Sequence, residues 1–228
     1  MNIILFDIDG TLLRSHGSGK RATNKTFMEF FSIAESWADI QAAGKTDPII
    51  FDEIALKHIG RKLETKEKEL IYQCYLSHFA REIENCDNYE LMKGIPTLLE
   101  KVAKLENTVV GLQTGNLEEA AWIKLKHGNI DHYFSFGGFA TDSAIRTELV
   151  AAGINKAIAH ANITRSDINK IVVIGDTQYD ILAGKDNGAY TIAVENGFYK
   201  ADFFKEFKPD VIFEDFSDTD KVIEAILS

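Results

Sequence analysis

The chain has 228 residues, 45% of them hydrophobic and 26% charged, which is typical of one large soluble domain or of one domain with a smaller insert. Its 25 basic and 35 acidic side chains give a formal charge of −10, and because no basic patch offsets this charge, we expect no nucleic-acid partner. Cys74 and Cys86 are the only cysteines; they are too few for a disulfide framework and lack the neighbouring Cys or His that zinc requires.

The first residues form a strand-like run that contains two aspartates, and they lack the charged region, long apolar core and cleavage site of a secretory leader. No apolar stretch approaches the ~20 residues that a membrane-spanning helix needs. We therefore expect a cytoplasmic protein without a membrane partner.

Five apolar, β-branched runs predict the strands of a buried sheet. Amphipathic stretches between them, such as residues 117–127 and 147–161, predict helices. Strands that alternate with helices are typical of an α/β fold with a doubly wound, mostly parallel sheet covered on both faces. The predicted strands are residues 3–6, 108–112, 171–174, 190–194 and 211–213.

Residues 17–91 interrupt this alternation. Their apolar positions have helical spacing without a convincing strand, which predicts an all-helical cap inserted after the first strand. Since open α/β sheets bind ligands at the carboxyl ends of their strands, the cap should lie over the site. The core then comprises residues 1–16 and 92–228. Gly17-Ser18-Gly19 and residues 92–96 are the predicted linkers, and the predicted cap helices are residues 22–31, 49–59 and 65–83.

Asp7 and Asp9 follow the first predicted strand and lie two residues apart, so both can lean towards one cleft. Two such carboxylates repel each other unless a cation lies between them, and Mg²⁺ fits because hard cations take carboxylate and carbonyl oxygens. An acidic turn that closes a strand is the alternative. The pattern indicates phosphate chemistry with Mg²⁺ as cofactor.

Thr114-Gly115-Asn116 follows the second predicted strand. A hydroxyl, a flexible backbone and a helix start can together form a small anion site, and Asn116 is the expected cap of that helix. The same three residues also fit an ordinary turn.

Asp176 and Asp180 follow the third predicted strand. They can face one cation together with Asp7 and Asp9, since four carboxylates at neighbouring strand ends are costly without a metal. Alternatively, Asp176 caps the next helix and Asp180 is a favourable acid in its first turn.

Arg146, at the predicted start of the helix over residues 147–161, is the candidate that holds the phosphate, although an arginine in that position is often only solvated. Lys156, further along the same helix, is the second candidate. With these parts, Asp7 can attack phosphorus, Asp9 can act as general acid and then base, and Thr114 and Arg146 can hold the phosphoryl oxygens.

Three motifs, each after an apolar strand, resemble those of the haloacid dehalogenase superfamily of hydrolases, in particular its phosphoglycolate phosphatase-like members with a helical cap. The resemblance extends over nearly the whole chain. It implies Asp7 as nucleophile, Asp9 as general acid and base, Thr114 as phosphate binder, and an Mg²⁺ site with Asp176, Asp180 and the Asp9 backbone carbonyl. The motifs are Asp7-Ile8-Asp9-Gly10-Thr11, Thr114-Gly115-Asn116 and Gly175-Asp176-Thr177 with Asp180.

One departure from the family pattern concerns its third motif, which is often Lys-Pro at a helix start. No Lys-Pro occurs between Asn116 and Gly175, and Arg146 is the expected substitute. Asp9 favours phosphate esters as substrates, because the dehalogenases that give the superfamily its name lack this second aspartate.

Two further residues are predicted to bind substrate beside Thr114, Gly115, Asn116 and Arg146. Lys45, in a cap loop, can bind a substrate carboxylate, although a solvated turn lysine explains it equally, and His16 follows the first motif closely enough to line the site.

The sequence therefore predicts a Mg²⁺-dependent phosphatase that acts on a small phosphorylated metabolite, such as phosphoglycolate or a sugar phosphate, as a monomer or homodimer. A phosphomutase with the same two aspartates and a non-catalytic phospho-ligand binding protein remain alternatives. A receiver-type signalling module fits poorly, because such modules are shorter, have no helical insert and carry the accepting aspartate on a later strand.

Overall fold

The structure, a computed structural model, describes residues 1–195 and 199–228. A six-stranded sheet forms its centre, and all neighbouring strands in it run parallel. The strands of the described residues, in chain order, are β1 (Asn2–Phe6), β2 (Leu13–Arg14), β3 (Glu90–Leu91), β4 (Thr108–Gln113), β5 (Gly137–Gly138), β6 (Lys170–Gly175), β7 (Tyr190–Val194) and β8 (Val211–Phe213).

The order of strands in the large sheet is β5-β4-β1-β6-β7-β8. The chain thus winds outward from β1 in both directions, and the predicted doubly wound α/β fold is confirmed. The helices of the described residues are α1 (Ser18–Phe31), α2 (Asp47–Ile59), α3 (Thr65–Glu84), α4 (Ile95–Val102), α5 (Glu118–His127), α6 (Arg146–Ala161), α7 (Gln178–Asp186), α8 (Ala201–Lys205) and α9 (Thr219–Leu227).

Both faces of the large sheet are buried, as near-continuous apolar strands require. Ile4 and Phe6 of β1 pack on one side with residues of α4, α5 and α9. Ile3 and Leu5, which point the other way, pack with α6 and α7. Side chains at the carboxyl ends of these strands are consequently held by a packed core beneath them.

The helices α1, α2 and α3 share an aromatic core that includes Phe27, Phe51 and Phe79. Leu117, just before α5, and Ala120, within α5, belong to the same core. The predicted all-helical insert is therefore present. It packs against the helix that follows β4, and so covers the carboxyl ends of the strands.

Two small strand pairings in the structure were not predicted from the sequence. The antiparallel pair β2 and β3 joins the chain where it leaves for the cap helices and where it returns. β5 consists of Gly137 and Gly138, where a Cβ on Gly138 would lie 1.7 Å from the Leu149 carbonyl oxygen of α6. Strands of two residues carry no periodicity, so only their long-range pairing defines them.

Two local predictions were wrong. Ser18 and Gly19 lie in the first turn of α1 rather than in a linker, because the Ser18 hydroxyl donates to the Ser15 carbonyl and ties the turn down. Leu117, not Asn116, precedes α5 as its capping residue. Among the described residues, no helix combines the length and apolar character needed to cross a membrane.

Candidate active site

The carboxyl ends of three adjacent strands form the floor of the site. Asp7 follows β1, Thr114 follows β4 and Asp176 follows β6, and these strands are neighbours in the sheet. Above them, a cavity of about 730 Å³ separates the strand ends from α1, α2 and α3. The lining includes Asp7, Asp9, Asn116, Lys124, Arg146 and Asp176 from below and Lys20, Trp37, Lys45, Ile50, Phe51 and Tyr75 from above.

Asp7 lies at the centre of this floor and is almost fully buried. Carboxylate oxygens of Asp7, Asp176 and Asp180 lie within 4.8 Å of one another. Burial raises the pKa of Asp7 to about 7; the Arg146 charge opposes this rise, and the charges of Asp180 and Asp9 add to it. Burial and the nearby Asp7 likewise raise the pKa of Asp176 well above its ordinary value. The site is thus short of positive charge.

This donor set fits a hard divalent cation, because clustered carboxylate oxygens are the ligands Mg²⁺ takes and its charge would let both acids ionise. Gly10 makes the crowding possible. Its φ is +81°, and a Cβ there would lie 2.1 Å from Asp176 Oδ2. Only a residue without a side chain lets the Asp176 carboxylate lie against the loop after β1.

Asp180 is completely enclosed, and its oxygens already accept several hydrogen bonds. The Thr177 backbone N–H and hydroxyl donate to Oδ2, while the Gln113 amide and the Arg146 guanidinium donate to Oδ1. Its observed contacts therefore hold Arg146 and the start of α7 in place. Its role as a direct metal ligand stays a prediction.

Arg146 is the first residue of α6, and its guanidinium lies 3.0 Å from Asp7 Oδ1 and contacts Asp180 as well. Lys156 lies further along the same helix, where its Nζ pairs with Asp142 Oδ2 at 2.7 Å. The structure therefore brings Arg146, and not Lys156, next to Asp7. The helix start decides this, because only its first turn reaches the strand ends.

Asp9 lies above Asp7, and α5 supplies its cation. Lys124 Nζ donates to both Asp9 oxygens, at 2.8 and 2.6 Å, and to the Asn116 side-chain oxygen. The Lys124 side chain is 7% exposed and that of Asp9 45%. Asn116 Nδ2 donates to Asp9 Oδ2 at 2.8 Å and to Thr114 Oγ1 at 2.9 Å. Two groups therefore orient the Asp9 carboxylate.

Lys124 was absent from the sequence prediction. A signal for it did exist: α5 buries Ala120, Ala121 and Leu125 on one face, and Lys124 lies on that same face. A lysine among buried apolar positions needs a carboxylate partner. The sequence could have raised that question, but it could not have identified Asp9 as the partner.

Thr114 and Gly115 are held in different ways. Thr114 is fully buried, and its hydroxyl oxygen accepts hydrogen bonds from Asn116. Gly115 contacts the cap loop, because its carbonyl accepts from the Asp47 N–H at 2.7 Å and a Cβ there would lie 2.6 Å from the Lys45 carbonyl oxygen. Gly115 thus lets the cap loop approach the core backbone closely.

Lys45 and His16 both line the cavity, as predicted for substrate-binding residues. Lys45 Nζ lies 2.8 and 2.7 Å from the two Glu53 carboxylate oxygens, so its charge is compensated within the cap. His16 is at the rim, with Nε2 3.2 Å from Glu90 Oε1. The contact of either residue with substrate stays a prediction.

Asp47 belongs to the cap loop that was predicted to reach the leaving group, residues 44–48, but no individual role was predicted for it. It begins α2 and lines the cavity, and its Oδ2 accepts from the Leu117 backbone N–H at 2.8 Å. Burial raises its pKa to about 6, and the Lys124 charge opposes that rise. Asp47 therefore links the cap to the loop that carries Thr114.

Together these residues can perform acid, base and nucleophilic chemistry. A buried carboxylate is available at the bottom of the cavity, a second carboxylate lies two residues further along the chain, and cationic groups contact both. That combination suits transfer of an anionic group.

The comparisons with known proteins agree with one another. The sequence profile of the family described as haloacid dehalogenase-like hydrolase matches residues 4–194. Pyrophosphatase PpaX of Bacillus mycoides strain KBAB4 is 22% identical over 228 residues, covering 99% of this chain and 98% of its own. Pyrophosphatase PpaX of Oceanobacillus iheyensis is 24% identical over 220 residues, with 94% and 93% coverage.

Solved structures show the same fold. A hydrolase from Pseudomonas syringae superposes with a TM-score of 0.70 at 20% identity and covers 100% of both chains. A β-phosphoglucomutase of Clostridium difficile superposes with a TM-score of 0.71 at 18% identity, covering 99% of this chain and 96% of its own. At these identities the likeness concerns the architecture.

Proposed function

This chain belongs to the haloacid dehalogenase-like hydrolases, and from that premise we propose that it is a Mg²⁺-dependent phosphatase that hydrolyses small organic phosphomonoesters through a phosphorylated Asp7. One observation carries the proposal. Asp7 lies buried at the bottom of the cavity, where the Arg146 guanidinium contacts its carboxylate and carboxylate oxygens of Asp176 and Asp180 lie within 4.8 Å of it. A nucleophile, a cation for the phosphoryl oxygens and a metal-binding acid set thus meet at one point.

The first step forms a bond between an Asp7 carboxylate oxygen and phosphorus, while the bond between phosphorus and the ester oxygen breaks. Asp9 in its acid form gives its proton to the departing oxygen, so that an alcohol leaves. Lys124 and Asn116 keep the Asp9 carboxyl group oriented for this transfer.

The second step releases the phosphoryl group. Asp9, now ionised, takes a proton from a water molecule as that water bonds to phosphorus, and the bond from Asp7 to phosphorus breaks. Inorganic phosphate leaves, Asp9 is protonated again and Asp7 is restored. The cap helices limit bulk water to the volume of the cavity, which protects the intermediate from uncontrolled hydrolysis.

Mg²⁺, held by Asp7 and Asp176 together with the Asp9 carbonyl, with Asp180 as the further predicted ligand, would neutralise phosphoryl charge and keep Asp7 ionised. The chain's own cation is Arg146, which contacts the nucleophile directly. Thr114 is fully buried at the end of β4, and its hydroxyl oxygen accepts a hydrogen bond from Asn116. In our proposal its hydroxyl proton is donated to a phosphoryl oxygen.

The cap wall favours an organic leaving group. Trp37, Ile50, Phe51 and Tyr75 give the upper part of the cavity an apolar and aromatic character, and its volume of about 730 Å³ is ample for a small metabolite. Lys20 adds positive charge at that wall, whereas the charge of Lys45 is paired with Glu53. We propose that the substrate is a phosphorylated metabolite of the cytoplasm that has both apolar surface and a further anionic group.

Inorganic pyrophosphate is the second candidate, because relatives that span this chain almost completely are named pyrophosphatases. Its reaction uses the same two steps, with phosphate as the leaving group. The apolar cap wall argues for the organic substrate, since pyrophosphate offers nothing to bury against Phe51 or Tyr75.

Phosphate release from a panel of substrates tests the proposal. The panel contains phosphoglycolate, several sugar phosphates, p-nitrophenyl phosphate and inorganic pyrophosphate, each with Mg²⁺ and with EDTA. We expect Mg²⁺-dependent release that the Asp7→Asn variant loses. Phosphate release by that variant, or no phosphate release from any compound, would contradict the proposed phosphatase activity. Rearranged sugar phosphate with little free phosphate would identify a phosphomutase instead.

A further inference from the structure

A second cluster of ligating side chains lies on the cap, away from the cavity. Cys74 and His78 are four residues apart on α3 and therefore share one face of that helix. Glu29 reaches them from α1, the helix packed against α3. One carboxylate oxygen of Glu29 lies 3.2 Å from Cys74 Sγ and the other 2.7 Å from His78 Nε2.

These three groups already have nearly the spacing of a metal shell. Their ligand atoms all lie within 4.8 Å of one another. Around a tetrahedral Zn²⁺, with Zn–S of about 2.3 Å and Zn–N and Zn–O of about 2.1 Å, neighbouring ligand atoms are about 3.4–3.6 Å apart. To reach this spacing, the Glu29–Cys74 pair must open by about 0.4 Å and the Glu29–His78 pair by about 0.7 Å, with one Glu29 oxygen facing both groups. Glu29 can move in this way because its side chain is 57% exposed.

We propose that Glu29, Cys74 and His78 form a Zn²⁺ site that joins α1 to α3. Sulfur, imidazole nitrogen and one carboxylate are the donors of a borderline metal ion, whereas Mg²⁺ prefers oxygen alone. The fourth position faces solvent beside the exposed Glu29, and water or an external ligand completes the shell there.

The charges suit this ion. Hydrogen bonds from Cys74 and His78 lower the pKa of Glu29, so its carboxylate is ionised at neutral pH. Metal binding removes the Cys74 thiol proton, and the thiolate and carboxylate then carry two negative charges against the two positive charges of Zn²⁺. Burial and the Glu29 contact raise the pKa of the Cys74 thiol to about 11. The affinity of the site should therefore rise with pH as proton release becomes easier.

The sequence analysis expected no zinc site at Cys74, and in our proposal His78 and Glu29 supply the missing ligands. His78 is close in sequence, but its relevance depends on Glu29, which lies 45 residues before Cys74 and meets it only through helix packing. A Zn²⁺ ion bound between α1 and α3 would stabilise the folded state and not the unfolded one, because the three ligands are far apart in the unfolded chain.

Cobalt titration in the presence of excess Mg²⁺ tests the site under reducing, anaerobic conditions. Co²⁺ replaces Zn²⁺ in such shells, and bonding to a thiolate gives an intense charge-transfer absorption that the oxygen ligands of the cavity lack. We expect this band in the wild-type protein and its disappearance on addition of Zn²⁺. Zn²⁺ should also raise the melting temperature of the wild type but not of the Cys74→Ser variant.

Variants locate the band. Cys74→Ser should abolish it, while His78→Gln and Glu29→Gln should weaken Co²⁺ binding by more than the ~10–100-fold that losing an outer-shell partner costs. Cys86→Ser and Asp176→Asn are the controls and should keep it, since Cys86 is the other, buried thiol and Asp176 belongs to the cavity. Absence of the band in the folded wild type, or a band unaffected by both His78→Gln and Glu29→Gln, would overturn the proposal.

Discussion

Replacing Lys124 with methionine removes the cation that holds Asp9. The Lys124 ammonium group donates to both Asp9 oxygens and is itself nearly inaccessible to solvent, whereas Asp9 is half exposed. Methionine keeps the apolar stem of the side chain in the same packing, so the variant tests the charge and not the volume. We expect a folded protein whose general acid is poorly oriented.

The magnitude follows from those contacts. A hydrogen bond to a charged group contributes about 1.5–3 kcal/mol net, and every ~1.4 kcal/mol is a factor of ten in rate. Because water can replace Nζ at the half-exposed Asp9, the lower part of that range applies, which gives a loss of roughly 10–30-fold in turnover. Stability should change by less than ~1 kcal/mol, because a buried charge is removed together with its desolvation cost.

The assay compares two leaving groups through kcat/KM, which reports the steps up to departure of the alcohol. A p-nitrophenolate ion leaves without a proton, whereas in the proposed mechanism an alkoxide needs one from Asp9. Lys124→Met should therefore lower kcat/KM for glycerol phosphate more than for p-nitrophenyl phosphate. Lys126→Met is the matched control, since Lys126 lies on the same helix and is exposed.

Two results would refute this reasoning. Wild-type kcat/KM for the alkyl ester would mean that Asp9 needs no help from Lys124. An equal loss with both substrates would mean that Lys124 affects the site other than through the acid.

Three further predictions concern the charges and the cap contact. Arg146→Met leaves the clustered carboxylates without their buried cation, so unfolding free energy should fall by about 3–5 kcal/mol in EDTA and recover in part with Mg²⁺, as measured by thermal denaturation. Asp47→Asn should stabilise the protein at neutral pH: the folded-state pKa of about 6 lies above the ordinary 3.8, so ionising Asp47 destabilises the fold increasingly as pH rises through that interval. Above pH 6 the variant should gain at most ~3 kcal/mol in free energy of unfolding, because a shift of about two pKa units corresponds to that energy. In denaturant melts this gain should vanish below pH 4. Gly115→Ala places a Cβ 2.6 Å from the Lys45 carbonyl oxygen, so we expect a cap contact weakened by about 1–3 kcal/mol, visible as a raised KM and a lower melting temperature.

Each of these has a result that would contradict it. For Arg146, Lys156→Met provides the comparison, since its exposed pair with Asp142 should contribute only ~0–1 kcal/mol; equal losses in the two variants would contradict a buried role. A stability difference for Asp47→Asn that did not depend on pH would exclude titration of that carboxyl. An unchanged KM and melting temperature for Gly115→Ala would show that the cap loop does not need its close approach.

Local sequence was sufficient for five of the six strands of the large sheet, all except β5, and for the floor of the site. Apolar β-branched runs mark β1, β4, β6, β7 and β8 within a residue or so of their ends, because a buried parallel strand needs apolar side chains on both faces. Once those strands are parallel, Asp7, Thr114 and Asp176 must come together at one edge, and no knowledge of packing is needed to place them there.

The tertiary structure alone decided which side chains those residues meet. Lys124 lies 115 residues from Asp9 in the chain, and Arg146 was one of two candidates until α6 packed with its first turn at the strand ends. The cap cluster of Glu29, Cys74 and His78 likewise exists only because α1 lies against α3. Periodicity records which face of a helix is buried, but the partner across an interface is set by the docking of whole elements, and that information is spread over the entire core.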